Sequence, residues 1–256
     1  MTPPERELPP LLPSSDDAAI DLVFAIRDGQ LERLGALLES RPELATVRIG
    51  DAGGWRTALH VTTDWPGYFP GAPDAVRLLL AAGADPNADT GGDRPETPLH
   101  WAASSDDVDV AEALLDGGAD LETPGGSIGS PLDNAIGYGC WHVARLLAAR
   151  GARVDKLWHA AALGMVARTA DLLAVSPPPG QADLDQAFWE ACHGGQRRTA
   201  ALLFAAGADL TASPDYAHGQ SALEAAEDSD TRRSQLAEWL RERLADVGAA
   251  SDVSRT

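Results

Sequence analysis

Thr97-Pro98-Leu99-His100-Trp101-Ala102-Ala103 opens a stretch of the chain that closes on Gly118-Ala119-Asp120. Elementary chemistry reads this stretch as a pair of helices. The Thr97 hydroxyl can accept from the first free N–H groups of a helix, and Pro98 suits the first helical position because its φ is already set. Leu99, Ala102 and Ala103 fall on one face, where small alanines let a neighbouring helix approach closely. Val110, Ala113, Leu114 and Leu115 return at helical spacing and predict a second helix. Gly118 is suited to end that helix in a left-handed conformation.

The same unit recurs along the chain. With the Leu of Leu99-His100 as anchor, a glycine stands seven residues on in four other units: Leu22 with Gly29, Leu132 with Gly139, Leu157 with Gly164, and Phe188 with Gly195. Asp106 and Asp230 take that place after Leu99 and Leu223. Nineteen residues after the anchor come Gly118, Gly151 and Gly207, and Leu59 reaches Gly83-Ala84-Asp85 five residues late. Repetition of one supersecondary unit predicts a stacked solenoid, because a single unit cannot bury its apolar face alone.

Thr97-Pro98-Leu99-His100-x-Ala102 at a period near 33 residues resembles the ankyrin-repeat family. The resemblance implies an all-α ankyrin-repeat solenoid of about seven helix-turn-helix repeats over residues 15–246, with projecting finger loops such as 121–130. Residues 1–14 are expected to be a disordered Pro-rich N-terminus and 247–256 a disordered tail. Ser221-Ala222-Leu223-Glu224 reads as a capping box, and Arg232, Arg233, Arg241 and Arg243 suit a polar terminal cap. The family places His60 and His100 in local hydrogen bonds at helix starts, so both are expected to be structural. The implied function is an interaction adaptor that binds a protein or peptide on a concave groove.

Composition bounds the partners. Asp and Glu number 39 against 20 Lys and Arg, a formal net charge of −19. An acidic surface lacks the basic face needed for nucleic-acid phosphates or anionic membranes, and mildly favours a partner with a basic patch. Cys140 and Cys192 are the only cysteines, which speaks against a disulfide framework and for a reducing, cytoplasmic setting. No signal-peptide run precedes Asp17 and no stretch is long and apolar enough to span a bilayer. A monomer without a cofactor or a bound metal is expected.

Departures from the repeat are the places to look for function. Asp64-Trp65-Pro66-Gly67-Tyr68-Phe69-Pro70-Gly71-Ala72-Pro73 lies between two helices where other units need a few residues. Its prolines and glycines cannot continue a helix, and its rings either seal the turn or form a contact loop. Gly151 is followed by the next anchor, Leu157, after six residues, whereas Gly118 is followed by Leu132 after fourteen. The row of fingers is therefore expected to break near residue 150, and Asp155 to cap the next helix. By the family resemblance, partner-facing positions read Trp65, Tyr68, Phe69, Trp101, Ser104, Ser105, Asn134, Tyr138, His159, Glu190 and His193. The binding centre is expected in the N-terminal half, where the aromatics cluster.

The rival reading is a small-molecule binder or an unconventional enzyme that uses the same groove residues. Cys192-His193 and Cys140-Trp141-His142 suggest a nucleophile pair, but adjacent helical residues do not face each other. By the same resemblance His159 and Glu190 are expected to point into the groove from successive repeats, roughly 8–10 Å apart by helix packing, too far for direct contact but enough to flank a small ligand. Gly125-Gly126-Ser127-Ile128-Gly129-Ser130 has no following Lys and no preceding strand, so it reads as a finger loop and not a phosphate cradle. No catalytic residue is assigned and no enzyme is expected.

Overall fold

A computed structural model describes residues 8–51, 53–228 and 234–253; Asp230, Arg232 and Arg233 lie outside them. The chain divides into two compact units, 1–152 and 153–256, at the interval where the shortened connection was expected to interrupt the fingers. Both are mostly helical.

The first unit holds four helix pairs. These are α1 (Asp17–Arg27) with α2 (Leu31–Ser40), α3 (Ala58–Val61) with α4 (Ala72–Ala81), α5 (Pro98–Ser104) with α6 (Val108–Asp116), and α7 (Pro131–Gly137) with α8 (Trp141–Ala149). Within three of these pairs the same hydrogen bond closes the turn: Gln30 N–H to Ala25 C=O at 2.9 Å, Asp107 to Ala102 at 3.1 Å and Cys140 to Ala135 at 2.7 Å. The residue one before each donor is left-handed: Gly29 (φ 64°), Asp106 (φ 56°) and Gly139 (φ 70°). The anchor-plus-seven glycine of the sequence is thus a conformational requirement, and Asp106 meets it without being glycine, as Asp can more readily than most residues.

Second helices end alike. The N–H of Ala84, Ala119 and Ala152 reaches back to Leu79, Leu114 and Leu147 over 2.9–3.0 Å, with Gly83, Gly118 and Gly151 at φ 94–103° just before. This is a Schellman end, which satisfies carbonyls that the helix itself leaves open. Leu22, Ile26, Leu34, Leu59, Leu79, Leu99, Leu114, Leu132, Ile136 and Leu147 are fully buried between the pairs.

The second unit repeats the plan with α9 (Leu157–Ala162) and α10 (Val166–Leu173), α11 (Gln181–His193) and α12 (Arg197–Ala205), and α13 (Ala222–Asp228) and α14 (Ser234–Val253). Met165 and Gln196 donate to Ala160 and Ala191, Gly164 and Gly195 are left-handed, and Ala208 donates to Leu203 after Gly207 at φ 101°. Phe188, Cys192, Leu203, Leu236 and Leu240 form its core. Lys156, not Asp155, stands at the N-cap of α9.

At several junctions, successive pairs are joined through the residue after the anchor. The Thr57 N–H donates to His60 Nδ1 at 3.2 Å, and the Thr97 N–H to His100 Nδ1 at 3.1 Å. That makes Nδ1 the acceptor and leaves Nε2–H as donor, to Glu96 C=O at 2.9 Å from His60 and to Gly129 C=O at 3.1 Å from His100. Burial holds both rings neutral, with His60 pushed down to about 4. Asp133 and Glu224 keep the local half of the motif, each accepting from a serine N–H and hydroxyl, Ser130 or Ser221. Trp189 keeps the other half: its indole N–H donates to Gln220 C=O at 2.9 Å. Both histidines are structural, as the resemblance implied.

Three expectations need correction. The chain is not purely helical: β1 (Leu11–Pro13) pairs in parallel with β2 (Arg48–Asp51), which pairs antiparallel with β3 (Gly54–Thr57). Residues 11–13, expected within a disordered tail, are a strand, held also by Arg48 Nε donating to Pro9 C=O at 2.7 Å. Residues 247–253, expected to be disordered as well, continue α14 as helix.

Candidate interaction groove

The long insertion between α3 and α4 is ordered by its own polar atoms. Gly67 N–H closes a turn on Asp64 C=O at 2.7 Å. Tyr68 is left-handed (φ 55°); its N–H donates to Asp107 Oδ2 at 3.1 Å and its hydroxyl to Asp106 C=O at 2.7 Å. Phe69 lies under the Arg27 guanidinium, 5.4 Å from ring centroid to Cζ. Arg27 and Arg56 both pair with Asp64. With its neighbours tied down, Trp65 stands 84% exposed.

Trp65 forms one wall of a groove of about 270 Å³, open to solvent, whose other sides include Trp101, Tyr138, Ser104, Ser105 and Glu96. Trp101 is half-buried, its ring edge-on to His60 at 4.9 Å and 75°. The junction histidine therefore also sets the angle of a groove aromatic. Tyr138 is 53% exposed, and its hydroxyl donates to Ser127 Oγ at 2.9 Å. Ser104 and Ser105 turn their hydroxyls back onto the carbonyls of His100 and Trp101, at 2.9 and 2.8 Å. Asn134 is fully buried behind them. Its amide N–H groups reach Glu96 Oε1 and Ser104 Oγ, both at 3.2 Å, and its oxygen accepts from Ile128 N–H at 3.2 Å.

Residues 67–156 match the family model of ankyrin repeats, in three copies. The chain is also 31% identical over 208 residues to the E3 ubiquitin-protein ligase KEG of Arabidopsis thaliana, across 80% of this chain and 11% of that protein. The chain is an ankyrin-repeat protein. Ankyrin repeats generally mediate protein–protein interaction; the groove residues from Glu96 to Tyr138 lie within the matched span, and Thr63, Asp64 and Trp65 lie just before it. The chain spans about a tenth of the relative's length, and the ligase activity in that protein's name is said of that protein.

Within this ankyrin chain the predicted site residues part company. Trp65, Trp101, Ser104, Ser105 and Tyr138 come together in one groove. Tyr68 and Phe69 do not line it, because their contacts run to Asp106, Asp107 and Arg27. Asn134 was expected to meet a partner; it is buried and positions Glu96 instead. His159 and Glu190 were likewise expected at the surface but are 2% and 1% exposed. They belong to the second unit, where Glu190 accepts from the Tyr216 hydroxyl at 2.8 Å and faces His193 Nδ1 at 3.4 Å. His193 is half-buried beside Trp189, at 4.9 Å between ring centroids. Sequence reasoning missed Glu96 and Ser127. Glu96 immediately precedes the Thr97-Pro98-Leu99-His100 motif, so its place at the base of a finger was the available signal.

Neither cysteine is set up as a nucleophile. Burial pushes the Cys140 thiol up to about 11 and the Cys192 thiol higher still, so both are protonated at neutral pH. His142 Nδ1 faces Asp106 Oδ2 at 2.7 Å. Among the described residues, no group of three or more His, Cys, Asp or Glu side chains is placed to hold a metal ion, and no helix is long and apolar enough to cross a membrane.

Proposed function

We propose that this chain is a non-enzymatic interaction adaptor of seven ankyrin repeats, one per helix pair, that seats a protein or peptide segment on its concave side. The binding centre is the groove of the first unit, between the second and fourth pairs. One observation carries this reading: two tryptophans and a tyrosine, from three separate pairs, line one open depression. Large exposed aromatics of this kind dominate binding energy at interfaces. An open groove suits a polypeptide better than a small molecule, which is normally enclosed on most sides. Two free, buried cysteines suit a reducing, cytoplasmic setting.

The test is affinity capture from the source cells, followed by titration of the captured partner with variants, using circular dichroism to check folding. Trp101→Ala and Tyr138→Ala should each weaken binding by more than ~1 kcal/mol, as truncation of an interfacial aromatic does. Glu190→Ala should leave binding nearly unchanged. Normal binding by both aromatic variants, with loss in Glu190→Ala, would place the site in the second unit.

A further inference from the structure

The groove has a chemical preference that its aromatic walls alone do not explain. Two carboxylates line it, Asp64 and Glu96, and they differ in kind. Asp64 is compensated by Arg27 and Arg56, both on Oδ2. Glu96 pairs with no cation among the described residues. Its Oε1 is fixed by Ser127 N–H at 2.9 Å and by Asn134 Nδ2 at 3.2 Å, while no donor among the described residues engages Oε2. The nearby Arg94 is turned onto Ser127 C=O at 3.3 Å. An uncompensated carboxylate, held still by a buried amide and a backbone N–H, thus borders a depression walled by Trp65, Trp101 and Tyr138.

Resting on the reading of this groove as a partner site, we propose that it captures an arginine side chain from an extended segment of the partner. A guanidinium can lay its flat face on an indole or phenol ring and present N–H groups at its edge to a carboxylate, whereas an ammonium is compact and more strongly hydrated. Glu96 supplies the negative pole and the three rings supply electron-rich faces. A phosphate or carboxylate ligand would meet Glu96 as a like charge. The chain's net charge of −19 draws a basic segment toward the surface before contact.

The experiment follows the indole N–H resonances of Trp65 and Trp101 in the full chain during titration with four probes. These are N-acetyl-arginine amide, N-acetyl-citrulline amide, N-acetyl-lysine amide, and a pentapeptide with one arginine between glycines and serines. The arginine amide and the pentapeptide should move both indole signals saturably. Citrulline, the same shape without the charge, should bind at least about tenfold more weakly, the scale of a lost charge-assisted contact. Glu96→Gln keeps an oxygen for Ser127 and Asn134 while removing the charge, and should weaken the arginine amide by a similar factor with an unchanged fold. Equal binding of citrulline, or no effect of Glu96→Gln, would overturn the cation requirement. Tighter binding of lysine would overturn the choice of guanidinium, and failure of the pentapeptide would overturn a polypeptide source. If the captured partner still needs Trp101 but no probe moves either indole, this inference fails and the adaptor reading stands.

Discussion

Single residues in this fold are fixed by what their backbone or ring nitrogen must do. Gly118 sits at φ 94° with nothing within 4 Å of where a Cβ would stand, so the cost of a side chain there is torsional rather than steric. Gly118→Val should therefore lower stability by more than about 1 kcal/mol in urea melts, because a β-branched residue is poorly tolerated in that region; an unchanged midpoint would refute this. His60 makes a sharper case. Its ordinary value near 6.5 falls to about 4 because burial disfavours the charged ring. The folded state then binds fewer protons than the unfolded chain between those values. Its stability is complete above about pH 6.5 and declines as pH falls toward 4, by up to about 3 kcal/mol from this ring. His100 shifts in the same direction. His60→Gln should flatten stability against pH in that window, and a slope equal to the parent's would argue against the assignment. The roles of His60 and His100 were legible from their motif. That of Glu96 was not: its place before the motif marks only the base of a finger, and its partners Ser127 and Asn134 are more than thirty residues away.

Elements show a second kind of dependence, of one helix on its neighbour's turn. Cys140 at the N-cap of α8 gives no side-chain cap. The cap comes from the preceding pair: Asp106 Oδ1 accepts from Val143 N–H at 2.8 Å and Oδ2 faces His142. Asp106 thus combines a left-handed backbone with capping in trans. Asp106→Gly should relieve the backbone but lose the cap, while Asp106→Ala should lose the cap and keep the strain. Thermal melts should rank parent, Gly variant, Ala variant, with the Ala variant about 1 kcal/mol or more below the parent; an Ala variant as stable as the Gly variant would remove the torsional part of the argument. Helices were readable because the anchor spacing repeats a local rule. The β1–β2 pairing was not, because it joins Leu11 to Arg48 across two helices, and a proline-rich stretch reads as disorder until its partner is known. The ordered 64–73 loop was likewise ambiguous. Its order depends on Asp106 and Asp107, which belong to the next pair.

At the scale of the molecule, chemistry is unevenly distributed. The first unit holds the open aromatic groove, and the second encloses its polar groups, with Glu190 buried against Tyr216 and His193. Periodicity located the groove positions on both units, but it could not say which side chains reach solvent. Exposure depends on packing, and Trp65 and Glu190 stand at opposite extremes of it. The three-residue strand β1 has a further consequence, for self-association. A finger hairpin ends in an unpaired strand, and an unpaired strand is a template for another copy of the chain. Here that flank of Arg48–Asp51 is occupied by Leu11–Pro13, which Pro10 precedes and Pro13 ends, and neither proline has an N–H with which to continue a ladder. The segment acts as a terminator of sheet growth. Removal of residues 1–14 should leave the helical signal intact while sedimentation velocity reveals oligomers that increase with protein concentration. A truncated chain that stays monomeric at every concentration would show that the hairpin protects itself.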